Sequence, residues 1–216
     1  MTKTGNLGPE LYDYLLAHSV RPDEVQQELI EVTAALGGAS SMQISPDQGA
    51  FMMLLAKVLG ARNVIEVGTF TGYSSICLAR GLAEGGRLIC CDVSEEWTGI
   101  AREHWRKAGV EDLIDLRIGP ALDTLRSLPA DPVVDLSFID ADKPGYIGYW
   151  EELVPRTRPG GVILVDNVFM SGRVITSDPD ESGAAIRAFN DHAAADERVE
   201  LVMLPIADGL TFARKR

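Results

Sequence analysis

Two carboxylates, an amide and an amine stand at the ends of two apolar runs in this chain. Val133-Val134-Asp135-Leu136-Ser137-Phe138-Ile139 leads into Asp140-Ala141-Asp142-Lys143, and Gly161-Val162-Ile163-Leu164-Val165 leads into Asp166-Asn167. In open α/β sheets ligands sit beyond the carboxyl ends of the strands, so side chains just past such runs are placed to meet a substrate. Asp140, Asp166 and Asn167 would then offer three oxygen donors at neighbouring strand ends, a set suited to a hard cation such as magnesium. Ordinary capping and turn chemistry is the plainer alternative. Lys143 reads as a solvated surface amine unless a cation sits beside it, when its neutral form is favoured and it can act as a base.

A second constellation precedes these. Glu66-Val67-Gly68-Thr69-Phe70-Thr71-Gly72-Tyr73-Ser74 is a glycine turn that closes one strand and opens a helix, and Asp92 ends the next strand 24 residues after Gly68. An acid at that distance can accept the ribose hydroxyls of a nucleotide or nucleoside. Phe70 stands where a dinucleotide fingerprint needs a glycine, and would obstruct a pyrophosphate. Glu66 adds negative charge, unfavourable beside a diphosphate and suitable near a cationic amine or sulfonium. The balance favours S-adenosylmethionine over NAD, against the alternative of a tight turn with no ligand. Gly119-Pro120-Ala121 would place small residues beside an adenine ring, and Trp97 either lines the same pocket or packs.

The elements that must position these groups follow from periodicity. Strands at 63–67, 87–91, 113–118, 133–139 and 161–166 alternate with helices at 72–83, 95–108, 120–128 and 145–156, which predicts a mostly parallel sheet covered on both faces. A helix at 180–195 follows, and Val199–Leu204 and Leu210–Ala213 read as a hairpin at the sheet edge. Ahead of the sheet, helices are expected at 9–18, at 22–37 with Pro22 in the first turn, and from Pro46 to about Gly60. Ser45-Pro46-Asp47-Gln48 reads as a capping box with Gln48 reaching back to its N-terminus. Met42, in the loop before it, is either a flexible ligand contact or a plug over the core.

Composition narrows the function. At 216 residues and 46% hydrophobic content the chain fits a single domain, a helical cover over 1–60 and an α/β core over 61–216. The formal net charge of −12 argues against nucleic acid or an anionic membrane as main partner, which leaves a small substrate. No signal-like segment or apolar run of roughly 20 residues is seen, so a cytoplasmic protein is expected. Cys77, Cys90 and Cys91 have no metal-type spacing, and adjacent Cys90 and Cys91 would face opposite sides of a strand.

Four separated motifs, Met42-Gln43-Ile44-Ser45-Pro46-Asp47-Gln48-Gly49, the glycine turn, Phe138-Ile139-Asp140-Ala141-Asp142-Lys143 and Asp166-Asn167, together resemble the cation-dependent O-methyltransferases, the family of catechol and caffeoyl-CoA O-methyltransferases. The resemblance runs from about residue 10 to Leu204-Pro205-Ile206-Ala207-Asp208-Gly209-Leu210-Thr211. It implies a Rossmann-like seven-stranded sheet whose last strand is antiparallel, S-adenosylmethionine as methyl donor, a divalent metal and a homodimer. By position it assigns Glu66, Gly68, Thr69, Ser74, Asp92, Ala121 and Asp140 to the cofactor. Asp140, Asp166 and Asn167 would hold the metal, Lys143 would be the catalytic base, and Met42, Asn167 and Met170 would border the acceptor. Coenzyme A thioesters carry phosphates that need basic partners, and Arg173 stands alone after Asn167, so a small free catechol is the expected substrate. The competing readings are an NAD-dependent oxidoreductase and a silent S-adenosylmethionine-binding protein.

Overall fold

Five runs rich in Val, Ile and Leu form the parallel strands β1 (Asn63–Val67), β2 (Arg87–Asp92), β3 (Ile114–Ile118), β4 (Val134–Ile139) and β5 (Thr157–Val165) in the computed structural model, which describes residues 7–216. Helices α4 (Tyr73–Gly81), α5 (Glu95–Lys107), α6 (Ala121–Ser127) and α7 (Tyr146–Arg156) connect them, and α8 (Glu181–Ala194) leads to β6 (Val199–Leu204) and β7 (Leu210–Lys215). The seven strands lie in the order β3-β2-β1-β4-β5-β7-β6. The terminal hairpin is at the edge as expected, with β7 antiparallel to both β5 and β6.

Helices on both faces explain why every residue of β4 is buried, Asp135 and Ser137 included. Alternate residues of each strand feed different cores. Val64, Leu88, Cys90, Phe138 and Leu164 pack beneath one set of helices. Ile65, Cys91, Ile139 and Val165 pack on the other face against Trp150 and Phe189. Cys90 and Cys91 thus face opposite ways, and all three thiols are free and buried.

The N-terminal cover comprises α1 (Pro9–Ala17), α2 (Glu24–Ala34), a short 3-10 segment at Gly37–Met42, and α3 (Pro46–Leu59). It departs from the sequence reading in three ways. Helix α2 begins after Asp23, which caps it in a reciprocal box with Gln26, and ends before the glycines. Ser45 is the N-cap of α3 and Pro46 its first residue, but Ser45 makes no side-chain capping bond, and the Gln48 side chain turns inward to Asp166 and does not reach back. Strand β5 also starts earlier than expected: Thr157 already pairs with Val134, and Gly160 takes φ 79° where the register shifts. No helix among the described residues is long and apolar enough to cross a membrane.

Candidate active site

A cavity of about 990 Å³ opens at the carboxyl ends of β1, β2, β4 and β5. Every residue assigned from the sequence to cofactor, cation or acceptor lines it except Glu66.

The cofactor end is shaped by the turn after β1. Gly68 follows Val67 at φ 90°, and a Cβ there would lie 1.9 Å from the carbonyl oxygen of Asp140, so only glycine lets β1 and β4 end side by side. Their ladder continues past the strands, with Asp140 N–H donating to Val67 O at 2.8 Å and Gly68 N–H to Cys91 O at 2.9 Å. Asp92 anchors the turn from β2. Its Oδ2 accepts the N–H groups of Thr69 (2.9 Å) and Phe70 (2.8 Å), and its Oδ1 accepts that of Ser94 (2.8 Å). Three of about four acceptor positions on this carboxylate are therefore occupied by backbone, which leaves about one for a ribose hydroxyl. Phe70, held at φ 52°, meets Trp97 edge to face with centroids 5.0 Å apart, and both line the cavity. Ala121 opens α6 on the same wall, and Ser74 lies in the first turn of α4.

Glu66 corrects an expectation. It is the penultimate residue of β1, so strand alternation sends its side chain into the core, where it is fully buried, and it does not face the cavity. The Cys90 thiol donates to its Oε2 at 3.2 Å. Burial pushes its carboxyl up to about 7, against hydrogen bonds from Ser74, Cys90 and Thr69 that pull it down.

At the other end the ladder brings the second constellation together. Ile139 pairs with Val165, and Asp166 N–H donates to Ile139 O at 3.0 Å, so Asp140 and Asp166 emerge side by side. Asn167, at φ 56°, turns its N–H back to Asp166 Oδ1 at 2.7 Å. The Lys143 ammonium donates to Asp140 Oδ1 (3.1 Å), Asn167 Oδ1 (2.7 Å) and the Tyr146 hydroxyl (2.6 Å). Burial raises the Asp140 carboxyl, against the pull of Lys143. Burial and then the charge of Asp140 push Asp166 up to about 7. Two carboxylates raised by burial and an amide oxygen thus come together at neighbouring strand ends, with Lys143 bonded to Asp140 and Asn167, an oxygen-rich environment that fits a hard cation.

Met170 sits at φ 46° and is buried, and Met42 is exposed; both line the cavity. The segment carrying Met170 is pinned by the β6–β7 turn: Phe169 N–H donates to Asp208 O at 2.9 Å and Ser171 N–H to Asp208 Oδ1 at 2.7 Å.

Three contributors were not singled out from the sequence. Tyr146 stands one helical turn beyond Lys143, a spacing that could have revealed it. Asp208 could be found only from the fold. Gln48 donates from Nε2 to Asp166 Oδ2 at 2.8 Å, and its capping-box pattern pointed elsewhere.

With this geometry in hand, comparison with known proteins is informative. The model of the O-methyltransferase family matches residues 16–216. A probable caffeoyl-CoA O-methyltransferase from Dictyostelium discoideum is 41% identical over 212 residues, covering 95% of this chain and 91% of that protein. Among solved structures, an O-methyltransferase from Bacillus cereus in complex with S-adenosylhomocysteine (SAH) superposes with a TM-score of 0.86 at 37% identity, covering 94% of this chain and 96% of that one. The O-methyltransferase TomG from Streptomyces achromogenes, in complex with S-adenosylmethionine, also gives 0.86, at 30% identity, with 95% and 96% covered. The glycine turn anchored by an acid, the seven-stranded sheet and these matches agree: the chain belongs to the O-methyltransferase family, class I enzymes that draw the methyl group from S-adenosylmethionine.

Proposed function

We propose that this enzyme moves the methyl group of S-adenosylmethionine to one hydroxyl of a small catechol-type phenol, with a divalent cation, magnesium foremost, at Asp140, Asp166 and Asn167 and with Lys143 as general base. The observation that carries this reading is that Asp140, Asp166 and Asn167 leave adjacent strand ends within the cavity of the glycine turn, with the Lys143 ammonium bonded to Asp140 and Asn167. Bound at those oxygens, a divalent cation would supply Lewis-acid stabilisation of a phenolate and orientation of two adjacent hydroxyls.

A phenol has a pKa near 10, so keeping it ionised at pH 7 means offsetting about 3 units, roughly 4 kcal/mol. In this reading Lys143 Nζ takes the proton of the attacking oxygen. Tyr146 accepts from the amine and donates to Asp166 O at 3.3 Å, which fixes where Nζ stands. The oxygen then attacks the methyl carbon in line with the sulfonium, and S-adenosylhomocysteine departs. Holding oxygen and methyl at near-attack distance is the chain's main contribution. Gly68, Thr69 and Ser74 would cradle the donor, Asp92 its ribose and Ala121 its adenine, with Glu66 acting from behind the turn. Met42 and Met170 would border the acceptor ring, with Asn167 beside its oxygens.

Charge supports a small acceptor. Asp92, Asp140, Asp142, Asp166 and Asp208 line the cavity, and the basic residues among its described lining are Lys143 and Arg173. Arg173 is already paired with Asp180 at 2.5 Å and bonded to Met170 O at 3.1 Å, which leaves little for the phosphates of coenzyme A. The name of the Dictyostelium relative favours a second reading, a catechol carried on coenzyme A. Both are tested with labelled methyl donor and a panel of free catechols, simple phenols and the caffeoyl thioester, in EDTA and after restoring magnesium. The expected result is transfer to free catechols that EDTA abolishes and magnesium restores. Undiminished transfer in EDTA would remove the cation from the reaction, and a strong preference for the thioester would replace the small acceptor.

A further inference from the structure

We propose that Gln48, delivered by α3 of the N-terminal cover, is a positioning residue for the cation site: its amide fixes the Asp166 carboxylate in the orientation that cation binding requires. This rests on the cation reading above. Gln48 Nε2 donates to Asp166 Oδ2 at 2.8 Å across 118 residues of sequence, and the other carboxylate oxygen accepts Asn167 N–H at 2.7 Å. Each oxygen therefore has one fixed donor, and rotation of the carboxylate would break both bonds.

Burial makes the arrangement costly as mere packing. Gln48 is 0% exposed and Asp166 2%. The second amide atom, Oε1, is buried with no hydrogen-bond partner among the described residues. An unsatisfied buried carbonyl costs on the order of 1–3 kcal/mol, which a methionine or leucine filling the same volume would avoid. The bond from Nε2 is what the amide provides in return. Its neutrality also fits the site, since an uncharged donor steadies Asp166 without competing with a cation. The cover thereby reaches the reacting groups through a side chain that need not touch the substrate.

The test is calorimetric titration of magnesium, and of manganese as a spectroscopic probe, into the wild-type protein and the variants Gln48→Met and Gln48→Leu, without acceptor. Gln48→Ala, which cannot overpack, replaces either variant that fails to unfold cooperatively in EDTA. The expected result is cation binding weakened by about 10- to 100-fold, the usual effect of removing a group that orients a ligand, with unchanged affinity for S-adenosylhomocysteine. The manganese resonance spectrum should broaden as the donor set loosens. Wild-type cation affinity in both variants would overturn the assignment to Gln48 alone. Parallel loss of cation and S-adenosylhomocysteine affinity would make Gln48 a fold-supporting residue and also overturn it. A wild-type protein that binds no cation would overturn the cation reading itself, and this proposal with it.

Discussion

At the cofactor end of the cavity, the turn carrying Gly68, Thr69 and Phe70 is held mainly by strand-end backbone and the Asp92 carboxylate, with Asp140 N–H reaching Val67 O from the end of β4 and Thr33 of α2 donating to the Thr71 hydroxyl at 2.9 Å. At the acceptor end, Asp140, Lys143, Asp166, Asn167 and Gln48 arrive from β4, β5 and α3, and Asn167, Met170 and Ser171 take left-handed backbone conformations. Asp92 has its charge answered by three N–H groups, whereas Asp140 and Asp166 are desolvated and are both pushed up from the ordinary carboxylate range. The difference teaches that the ends of the sheet largely complete the cofactor end, while the acceptor end carries charge that a ligand must answer.

The largest effect that would sharpen this comparison is expected from Asp140→Ala. Losing a cation donor removes an interaction on the order of several kcal/mol from the transition state, so turnover should fall by about a thousandfold or more. S-adenosylhomocysteine affinity should be largely spared, because the backbone of Asp140 still abuts Gly68. Equal loss of turnover and cofactor affinity would dissolve the distinction between the two ends. Lys143→Ala should lower kcat by about 10² to 10⁴-fold, the range for a general base, with little change in cation affinity. A wild-type rate measured for that variant would take the amine out of the mechanism.

The smallest effect falls at the cofactor end and probes its one fully buried carboxyl group. Burial lifts Glu66 from its ordinary 4.5 to about 7. A folded-state value above the unfolded one means stability that is present at low pH and is lost as pH rises through about 7. Glu66→Gln removes that dependence, so the variant should gain roughly 2 to 3 kcal/mol on the wild type between about pH 5 and pH 8. Asp140 and Asp166 titrate in both proteins and cancel. Urea unfolding in metal-free buffer at the two pH values measures it, and parallel curves would mean that Glu66 is not desolvated.

How far the sequence could be read differed along the same line. The glycine turn was legible because each of its parts is local: a glycine at φ 90°, a helix start, and an acid at the next strand end. Asp140, Asp166 and Asn167 were legible as strand-end residues, since parallel neighbours must finish at the same edge. Gln48 was misread because local capping grammar offered it a partner one turn away, and the structure gave it another from β5. The burial of Glu66 was not legible, because a charged residue near a strand end suggests an exposed position, whereas its place within the strand aims it into the core.

By itself, the amino-acid sequence determined the order of strands and helices, the residues at the strand ends and the types of chemistry they could perform. These depend on hydrophobic period and on turn residues a few positions apart. Only the tertiary structure decided which acids are desolvated, which are answered by backbone, and that an amide from the cover grips Asp166. Those outcomes depend on burial and on donors supplied from distant segments, which no local pattern encodes.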